Sequence, residues 1–560
     1  MLNQEMLEEL SRIQQSYDSS LSRIMEKAGV GEEAMTTFSG LSIKPLYTPL
    51  DVIDSGYLED VGFPGQYPYT RGTFAGGYLG RGLHIRQVTG LGTAVETNQR
   101  WKFLIARGAD ALSVVPDDGS GHRADSDDDR VRGLVGNCGV ALDTVDDFRT
   151  LFDGIDIRKY TVHLITSNAY ALACYLVIAG EKGIDFLDLR GSMSNFIRPE
   201  IESLDIAEFC ARNVPLFNHG YLDMRNVREG GCTAVQEIAF GVALAMAGAE
   251  ELIKRGLHID DFLHRVTWFV NAGPEFFEEV AKFRAMRRVW SRVFYERYGA
   301  RKPGSLQCRM HCQTYAPTAT KAQPFNNLIR SALHALSAVL GGVQSLHVNS
   351  FDEALAIPTE FSAALSVRTQ QIIGLESGVT KVIDPMGGSY YVESLTNTLE
   401  KDALALIDKI QDLGGAFKAW DWMCQEIRTA AIKNQQEFDS GKRPLVGVNT
   451  LVEEDDIQLK AFRILNEHAD FSTLSEYSPE YAEKQNQRLR RFREERDPDR
   501  LAEKRAVLIQ AMQAGENMIP SLMEAVKAGL TRGEFARIKG EVFNMPAGGP
   551  YECSPPMVLA

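Results

Sequence analysis

The chain has 560 residues, of which 44% are hydrophobic and 24% charged, and a formal net charge of −15. That length exceeds one ordinary hydrophobic core, so more than one structural unit is expected. The acidic balance excludes a nucleic-acid partner, because no basic face dominates; the longest apolar run, Ile238 to Ala249, is bounded by Glu237 and Glu250 and too short to cross a bilayer.

Residues 1 to about 40 read as an amphipathic helix, with Leu2, Met6, Leu10, Ile13, Tyr17 and Leu21 on one stripe. Neither a basic nor an apolar leader pattern opens the chain. The eight cysteines show no CxxC and no framework spacing, which points to a reducing cytoplasm.

The stretch Tyr67 to Gly90 holds five glycines between Gly72 and Gly82, with Arg71, Arg81 and Arg86 among them. Glycines at this density let the backbone approach a ligand, and a guanidinium presents paired donors to phosphate or carboxylate. Tyr67, Tyr69, Phe74 and Tyr78 argue against a disordered loop. The stretch reads as a clamp on an anionic ligand.

From residue 84 to 375, β-type runs alternate with helical ones. The strands are expected at His84–Val88, Ala111–Val115, Tyr160–Thr166, Phe186–Leu189, Val214–Tyr221, Arg265–Val270, Leu306–Cys312 and Val343–Val348. Helices are expected at Glu96–Ala106, Ala169–Gly180, Ala234–Ile253, Pro274–Phe294 and Asn326–Leu340. The alternation predicts an α/β fold, a (β/α)₈ TIM barrel. It occupies residues 46–430, between an N-terminal helical arm (1–45) and a C-terminal helical extension and tail (431–560). Within that extension the mixed charges of Arg488–Arg500 read as a solvated helical surface.

Several strands are polar where a barrel interior is usually aliphatic: Leu216–Tyr221, Arg309–Thr314 and Gln344–Ser350. Such residues do not fill a dry core, so the interior is expected to hold an extended polar ligand.

No GxGxxG after a strand, P-loop, HExxH or GxSxG occurs. Cys308 and Cys312 share one strand face and His311 the other, which makes no metal site. The acidic run Asp117, Asp118, His122, Asp125, Asp127, Asp128, Asp129 would suit a hard cation, but Asx turns and neighbouring arginines are the favoured reading. Past the 344–350 strand, Asn349, Asp352 and Glu353 suit sugar hydroxyls; helix capping by Asn349 or Ser350 explains them equally well.

Taken together, Thr70–Gly72, HIRQ (84–87), GVALDT (139–144), RMHCQT (309–314), NNLIRSALHALSAVLGG (326–342), QSLHVNSFDEALAIPTEFSA (344–363), DPMGGSYY (384–391) and VGVN (446–449) resemble the adenosylcobalamin-dependent acyl-CoA mutases, in their large, substrate-binding subunits. The resemblance spans residues 45–450 and supplies a reason for the polar barrel, since in that family the CoA chain threads its axis.

The resemblance implies that Phe74, Gly76, Gly77, Arg81, His84, Arg86, Ser194, Asn218, Arg265, Thr267 and His311 bind CoA and the acyl group. It implies Gly90, Asn349 and Glu353 at the adenosyl group, Asp117, Cys138 and Glu229 near the corrin, and Asn226, Val88 and Gln313 at the reacting centre. The implied chemistry is cobalt–carbon homolysis, hydrogen abstraction, migration of a group to the adjacent carbon and return of the hydrogen.

The departures bear on substrate. Val88 stands where the family has an aromatic ring beside the radical, Asn226 where it has a histidine on the thioester carbonyl, and Ser194 for a glutamine. The segment bearing the methylmalonyl-CoA carboxylate arginine is missing, Gly76 and Gly77 replace larger residues, and Val115 replaces the aspartate of hydroxyisobutyryl enzymes. An enlarged pocket is expected, filled by a bulky acyl group such as an aryl-substituted succinyl or malonyl thioester, with Arg225 or Arg228 meeting a free carboxylate. The DxHxxG cobalamin signature is absent from the sequence, so a separate cobalamin-binding small subunit is expected, in a heterodimer or higher heteromer. A mutase for a small branched acyl-CoA, a non-catalytic structural subunit and a metal-dependent barrel hydrolase are the competing expectations.

Overall fold

The computed structural model describes residues 4–27, 36–117, 124–355, 357–468 and 479–544. Nine strands, all parallel where paired, form one sheet: β1 (His84–Gln87), β2 (Ala111–Val114), β3 (Thr161–Leu164), β4 (Gly191–Met193), β5 (Phe217–Asn218), β6 (Gly220–Asp223), β7 (Val266–Ala272), β8 (Met310–Thr314) and β9 (Ser345–His347). Their order is β5-β4-β3-β2-β1-β9-β8-β7-β6. The two ends of that order, β5 and β6, are one chain segment broken at His219. Counted together they leave eight staves, and the sheet closes as a (β/α)₈ barrel. The Tyr221 N–H donates to the Asn195 carbonyl at 2.9 Å across the closure.

Successive side chains alternate between the two faces of each strand. The outward set (Leu112, Val114, Val162 and Leu164; Trp268, Val270, Met310, Cys312, Leu346 and Val348) is buried in two hydrophobic cores beneath the helices. The helices form as their sequences dictate. Thr93 caps Ala94–Ala106 and Glu96 closes the capping box; Thr233 and Gln236 do the same for Ala234–Lys254. Cys308 and Cys312 belong to the outer core and His311 to the interior, and no metal-ligating cluster exists among the described residues.

Three expected strands shift. Phe186–Leu189 is a turn, because the Asp185 carboxylate accepts from the Leu187 N–H at 2.9 Å and its carbonyl from the Asp188 N–H at 3.0 Å; the strand follows at Gly191–Met193. Pro303 opens a helical turn, Pro303–Leu306, so the seventh stave begins at Met310, beyond the expected Leu306. Val214 and Pro215 precede the fifth, which runs on to Asp223. The N-terminal helix is Gln4–Lys27 and does not extend to residue 40, since Thr36 and Ser42 form an antiparallel bridge.

The C-terminal helices are docked, which overturns the solvated reading of Arg488–Arg500 in part. Arg493 pairs with Asp125 at 2.8 Å and Asp127 at 2.6 Å, and Arg496 with Glu534 at 2.7 Å. Asp125 also accepts from the Thr531 hydroxyl and the Gly533 N–H, at 2.7 and 2.6 Å. Asp128 is spent on Arg130. The Asp128–Arg130 pair is the neighbouring-arginine reading of the acidic run; Asp125 and Asp127 instead latch the helical extension to the barrel, which that reading does not include. Asp118, His122 and the tail beyond residue 544 lie outside the described residues.

Candidate active site

The clamp of residues 67–82 is held by buried arginines from the Phe276–Tyr298 helix. Arg287 donates to the carbonyls of Tyr69, Thr70 and Gly341 at 2.7–2.9 Å. Asp384 takes Arg71 at 2.9 Å and Arg284 at 2.5 Å, tying the clamp to the DPMGGSYY segment. Arg71 is therefore a strut, and Arg81, with its guanidinium 4.0 Å above the Phe74 ring, is the exposed cation of the clamp. Gly76 and Gly77 have a packing reason to be glycine. A Cβ on Gly76 would sit 3.2 Å from the Gly80 backbone, and Gly77 has φ +46° with Ile383 at 3.3 Å.

Beneath the clamp a cavity of about 300 Å³ enters the barrel at the N-terminal ends of the strands. Arg81, His84, Arg86, Ser192, Asn218, Thr267, Arg309, His311 and Ser345 line it. The mouth is basic. Burial and the charges of Arg265 and Arg81 push Arg309 down to about 10, and burial with Arg265 and Arg309 pushes His264 down to about 4. Burial and Arg190 likewise lower Arg265. On a chain of net charge −15, such a cluster is a specific attractor for an anion.

At mid-barrel four rings form an arc on the inner wall. His163 lies 4.6 Å from Tyr221, Tyr221 5.9 Å from Phe269, and Phe269 4.9 Å from His311. Facing them is Arg86, whose Nε and Nη2 are buried without a partner and whose pKa burial pushes down to about 10. The Nε2 of His311, the Tyr221 hydroxyl, the Asn218 Oδ1 and the Asn271 Oδ1 are likewise buried and unsatisfied. Buried polar groups are nearly always hydrogen-bonded, so this file of orphaned atoms along one axis marks the place of an absent polar ligand.

The C-terminal rim holds the remaining candidates. The Val88 N–H donates to His347 Nδ1 at 3.0 Å. Gln313 donates to the Asn349 Oδ1 at 2.8 Å, and Asn349 donates to the Thr314 carbonyl at 2.9 Å. Neither Asn349 nor Ser350 caps the next helix, which begins at Glu360 under Thr359, so the capping reading of that segment fails. The Asn226 amide is engaged locally: its Oδ1 accepts from Arg225 at 2.6 Å and one N–H of its Nδ2 donates to Asp223 at 2.9 Å. Glu229 pairs with Arg225 at 2.8 Å and accepts from Asn271 at 3.2 Å. Arg228, expected as a possible carboxylate partner, is 1% exposed and committed to Glu237, Glu278 and Glu279; only Arg225 reaches the rim. Ser194 is 3.2 Å from His163 Nε2. Asp117 is turned inward, accepting from the Gly136 N–H at 2.7 Å, and Cys138 is exposed at φ +50°. Gly90 leaves no room for a Cβ, which would lie 2.3 Å from the Val115 carbonyl.

The rim has the chemistry to take a nucleoside. No donor among the described residues bonds the Glu353 carboxylate, and burial beside Glu229 and Asp352 pushes it up to about 7. A ribose diol would supply the missing donors, and Asn349 lies four residues away on the same rim. The residues fit.

Because the Glu353 pKa is raised on folding, the stability it contributes is complete below the unfolded value near 4.3 and is lost as pH rises through about 7. Glu353→Gln is therefore expected to leave stability unchanged at pH 5 and to raise it by about 2 kcal/mol at pH 8.5. Urea titration at the two pH values checks this; equal effects at both would refute it.

Sequence reasoning missed His163, Tyr221, Phe269, His347, Arg190 and Arg309 as site residues. Their signal was the period of two: each inward-facing one shares phase with a residue already chosen on its own or a neighbouring strand.

The family model for methylmalonyl-CoA mutase matches residues 36–545. The 2-hydroxyisobutanoyl-CoA mutase large subunit of Aquincola tertiaricarbonis is 38% identical over 541 residues, covering 92% of this chain and 93% of that protein. Methylmalonyl-CoA mutase of Rhizobium meliloti is 36% identical over 542 residues, covering 93% of this chain and 73% of that protein. The human mitochondrial methylmalonyl-CoA mutase is 36% identical over 530 residues, covering 90% and 68%. With its closed polar-lined barrel and basic mouth, the chain belongs to the methylmalonyl-CoA mutase family of adenosylcobalamin-dependent isomerases.

Proposed function

We propose that the chain is the substrate-binding large subunit of a two-chain acyl-CoA mutase, rearranging the carbon skeleton of a bulky acyl-CoA such as an aryl-substituted succinyl or malonyl thioester. The observation that carries the reading is the file of unsatisfied buried donors and acceptors from Asn218 and Arg86 to Asn271. An extended ligand with amides, a thioester and phosphates satisfies them in order. In this reading the barrel is residues 46–430, flanked by the arm (1–45) and the extension (431–560), and the protein works in the cytoplasm.

The mouth arginines Arg81, Arg265 and Arg309 take the phosphates, as planar donors suited to them. Thr267, Asn218, Arg86 and His311 hold the pantetheine arm, and His84 stiffens the entrance through Asp110 at 2.8 Å. Adenosylcobalamin, when bound, supplies the carbon-centred radical, and Asn349 and Glu353 hold its adenosyl ribose. The ring wall and the clamp exclude water from the reacting centre. A separate cobalamin-binding small subunit covers the rim; the similarity to a relative that is itself a large subunit supports this heteromer.

Arg225, with its guanidinium 5.2 Å from the Phe269 ring and its Nε buried and unpartnered, is the group that meets a free substrate carboxylate. A small branched acyl group is the second reading, favoured by the space that Tyr221, Phe269 and His163 already fill on the wall.

The test is reconstitution with a cobalamin-binding small subunit, adenosylcobalamin and a panel of acyl-CoA thioesters. Rearranged product with an organic radical signal by electron paramagnetic resonance is expected, and fastest for arylalkyl dicarboxylic thioesters. CoA binding without turnover on any substrate would make the chain a structural subunit. Turnover restricted to isobutyryl-sized groups would select the second reading.

A further inference from the structure

A second cavity, of about 30 Å³, lies outside the ring of strands at the C-terminal ends of β2 and β3. Outward-facing Val114 and Leu164, with Leu142 and Phe148, make it largely apolar, and Arg532 lines it from the C-terminal extension. Pro116, Thr166 and Ala171 are the lining residues that are only half-buried, so the cavity opens beside them. Pro116 and Thr166 each follow the last residue of their strand by two, which puts the opening on the rim face. Pro116 is bridged there to Val140, next to Asp117 and Gly139.

Arg532 is 4% exposed and carries more donors than the chain uses. Its Nη2 donates to the Asp143 Oδ1 and its backbone N–H to the Asp143 carbonyl, both at 2.9 Å. Its Nε and Nη1 are buried with no partner among the described residues. Unbonded N–H groups on a buried cation are more costly than neutral ones, so an acceptor belongs in this cavity. Charge decides which kind. Burial pushes Arg532 down, and the charges of Asp143, Asp117 and Asp125 more than reverse it. Arg493 answers Asp125, which leaves Asp143 and Asp117 to balance Arg532. An entering anion meets those carboxylates, whereas a neutral carbonyl oxygen does not. The volume admits one carboxamide, or about two waters.

We propose that this cavity takes a carboxamide arm of the corrin periphery, its carbonyl oxygen accepting from the free N–H groups of Arg532. The inference rests on the large-subunit reading above, in which a corrin covers the rim where the cavity opens. The acetamide and propionamide arms of a corrin are neutral, end in a carbonyl acceptor and reach beyond the ring edge. Arg532 then ties cofactor binding to the docking of the extension, since Thr531 and Gly533 on either side of it hold Asp125.

The test measures adenosylcobalamin binding by absorbance titration, on a cobalamin-binding small subunit alone and on its complex with the full chain. The complex is expected to bind more tightly. Ala171→Leu fills the cavity and leaves the Arg532–Asp143 pair in place. It is expected to lower the affinity of the complex about 10–100-fold, with butyryl-CoA binding to the chain changed by less than about threefold. A set of cobalamins, each with one peripheral amide hydrolysed to a carboxylate, identifies the arm. One member is expected to bind the wild-type complex more weakly than its siblings, and to lose that disadvantage with Ala171→Leu. Should Ala171→Leu fail to fold, Arg532→Met is read against the same set, and the distinguished member is again expected to rejoin the others. If Ala171→Leu binds adenosylcobalamin like the wild type, the cavity holds ordered water only and the site is overturned. A set with no distinguished member, or one that the variants still distinguish, overturns it equally. In each of these results the complex still binds cobalamin, and the large-subunit reading stands. A chain that adds nothing to the small subunit's own affinity refutes that reading, and the site with it.

Discussion

Lys282→Met is expected to cost the fold about 3–5 kcal/mol at neutral pH, the penalty of leaving a buried charge network short of one partner. Lys282 is wholly buried on the Phe276–Tyr298 helix, and its ammonium reaches Glu237 at 2.8 Å, Glu279 at 2.5 Å and the Asn271 carbonyl at 2.7 Å. Among the described residues Arg228 supplies the only other cation, shared among Glu237, Glu278 and Glu279 at 3.1–3.7 Å. Ser39 relieves Glu278 with its hydroxyl at 2.8 Å and its N–H at 3.2 Å. Deleting Lys282 thus leaves Glu237 and Glu279 facing one guanidinium in a fully buried site.

Burial pushes Glu279 up and the charges of Lys282 and Arg228 pull it down further, below the usual carboxylate range. Its stabilisation is therefore present above about pH 4.5 and lost as pH falls through the folded value. Without Lys282 that sign reverses, since burial alone then acts and protonation relieves the site. The variant's defect is expected to shrink between pH 8 and pH 5, and the double variant Lys282→Met, Glu237→Gln to recover most of it. Urea midpoints at unchanged slope measure both. A defect equal at the two pH values, or a double variant no better than the single, would mean that the loss is packing and not charge. The network matters to the rim because Asn271, held by its carbonyl on Lys282, donates its amide to Glu229, the partner of Arg225.

How much of this could be read beforehand depended on whether a signal was local. The helices were legible because amphipathic period and capping residues act within a few positions: Asn326–Leu340 matches its expected span, and Ala169–Glu181 and Ala234–Lys254 differ from theirs by one residue. Short staves were not. Gly191–Met193 carries no β-branched residue, and what makes it a strand is its pairing with β3 and β5. The polar interior was legible in residue types and gave the right inference of a hollow barrel. The partition of the polar residues among roles was not, because it depends on contacts distant in sequence. Arg228 and Arg225 are three positions apart on one short helix, yet one is sealed by glutamates from two other helices and the other opens to the rim. The sequence favoured arginine pairing over a cation for the run that holds Asp125, but not which partners: Arg493, Thr531 and Gly533 come from hundreds of residues away.

Arg86→Met is expected to move stability and binding in opposite directions, and that opposition is what identifies a ligand-binding cation. The guanidinium stands at mid-barrel with Nε and Nη2 buried and unpartnered, and no carboxylate among the described residues pairs with it. Its charge instead presses on His163, His311 and His347, helping to hold all three imidazoles neutral. A cation placed so destabilises the empty protein, because desolvation is uncompensated. Its removal is expected to raise the stability of the free chain by about 1–3 kcal/mol. The bound ligand reverses the account: charge-assisted hydrogen bonds are worth about 1.5–3 kcal/mol, so butyryl-CoA is expected to bind about 10–100-fold more weakly to the variant. A third readout is the histidines themselves, whose titration by nuclear magnetic resonance should move toward the ordinary value near 6.5 once the charge is gone. Thermal melts, calorimetric titration and the imidazole resonances together decide the matter. If Arg86→Met both melts lower and binds more weakly, Arg86 is part of the scaffold, and the ligand path along the barrel axis loses its central contact.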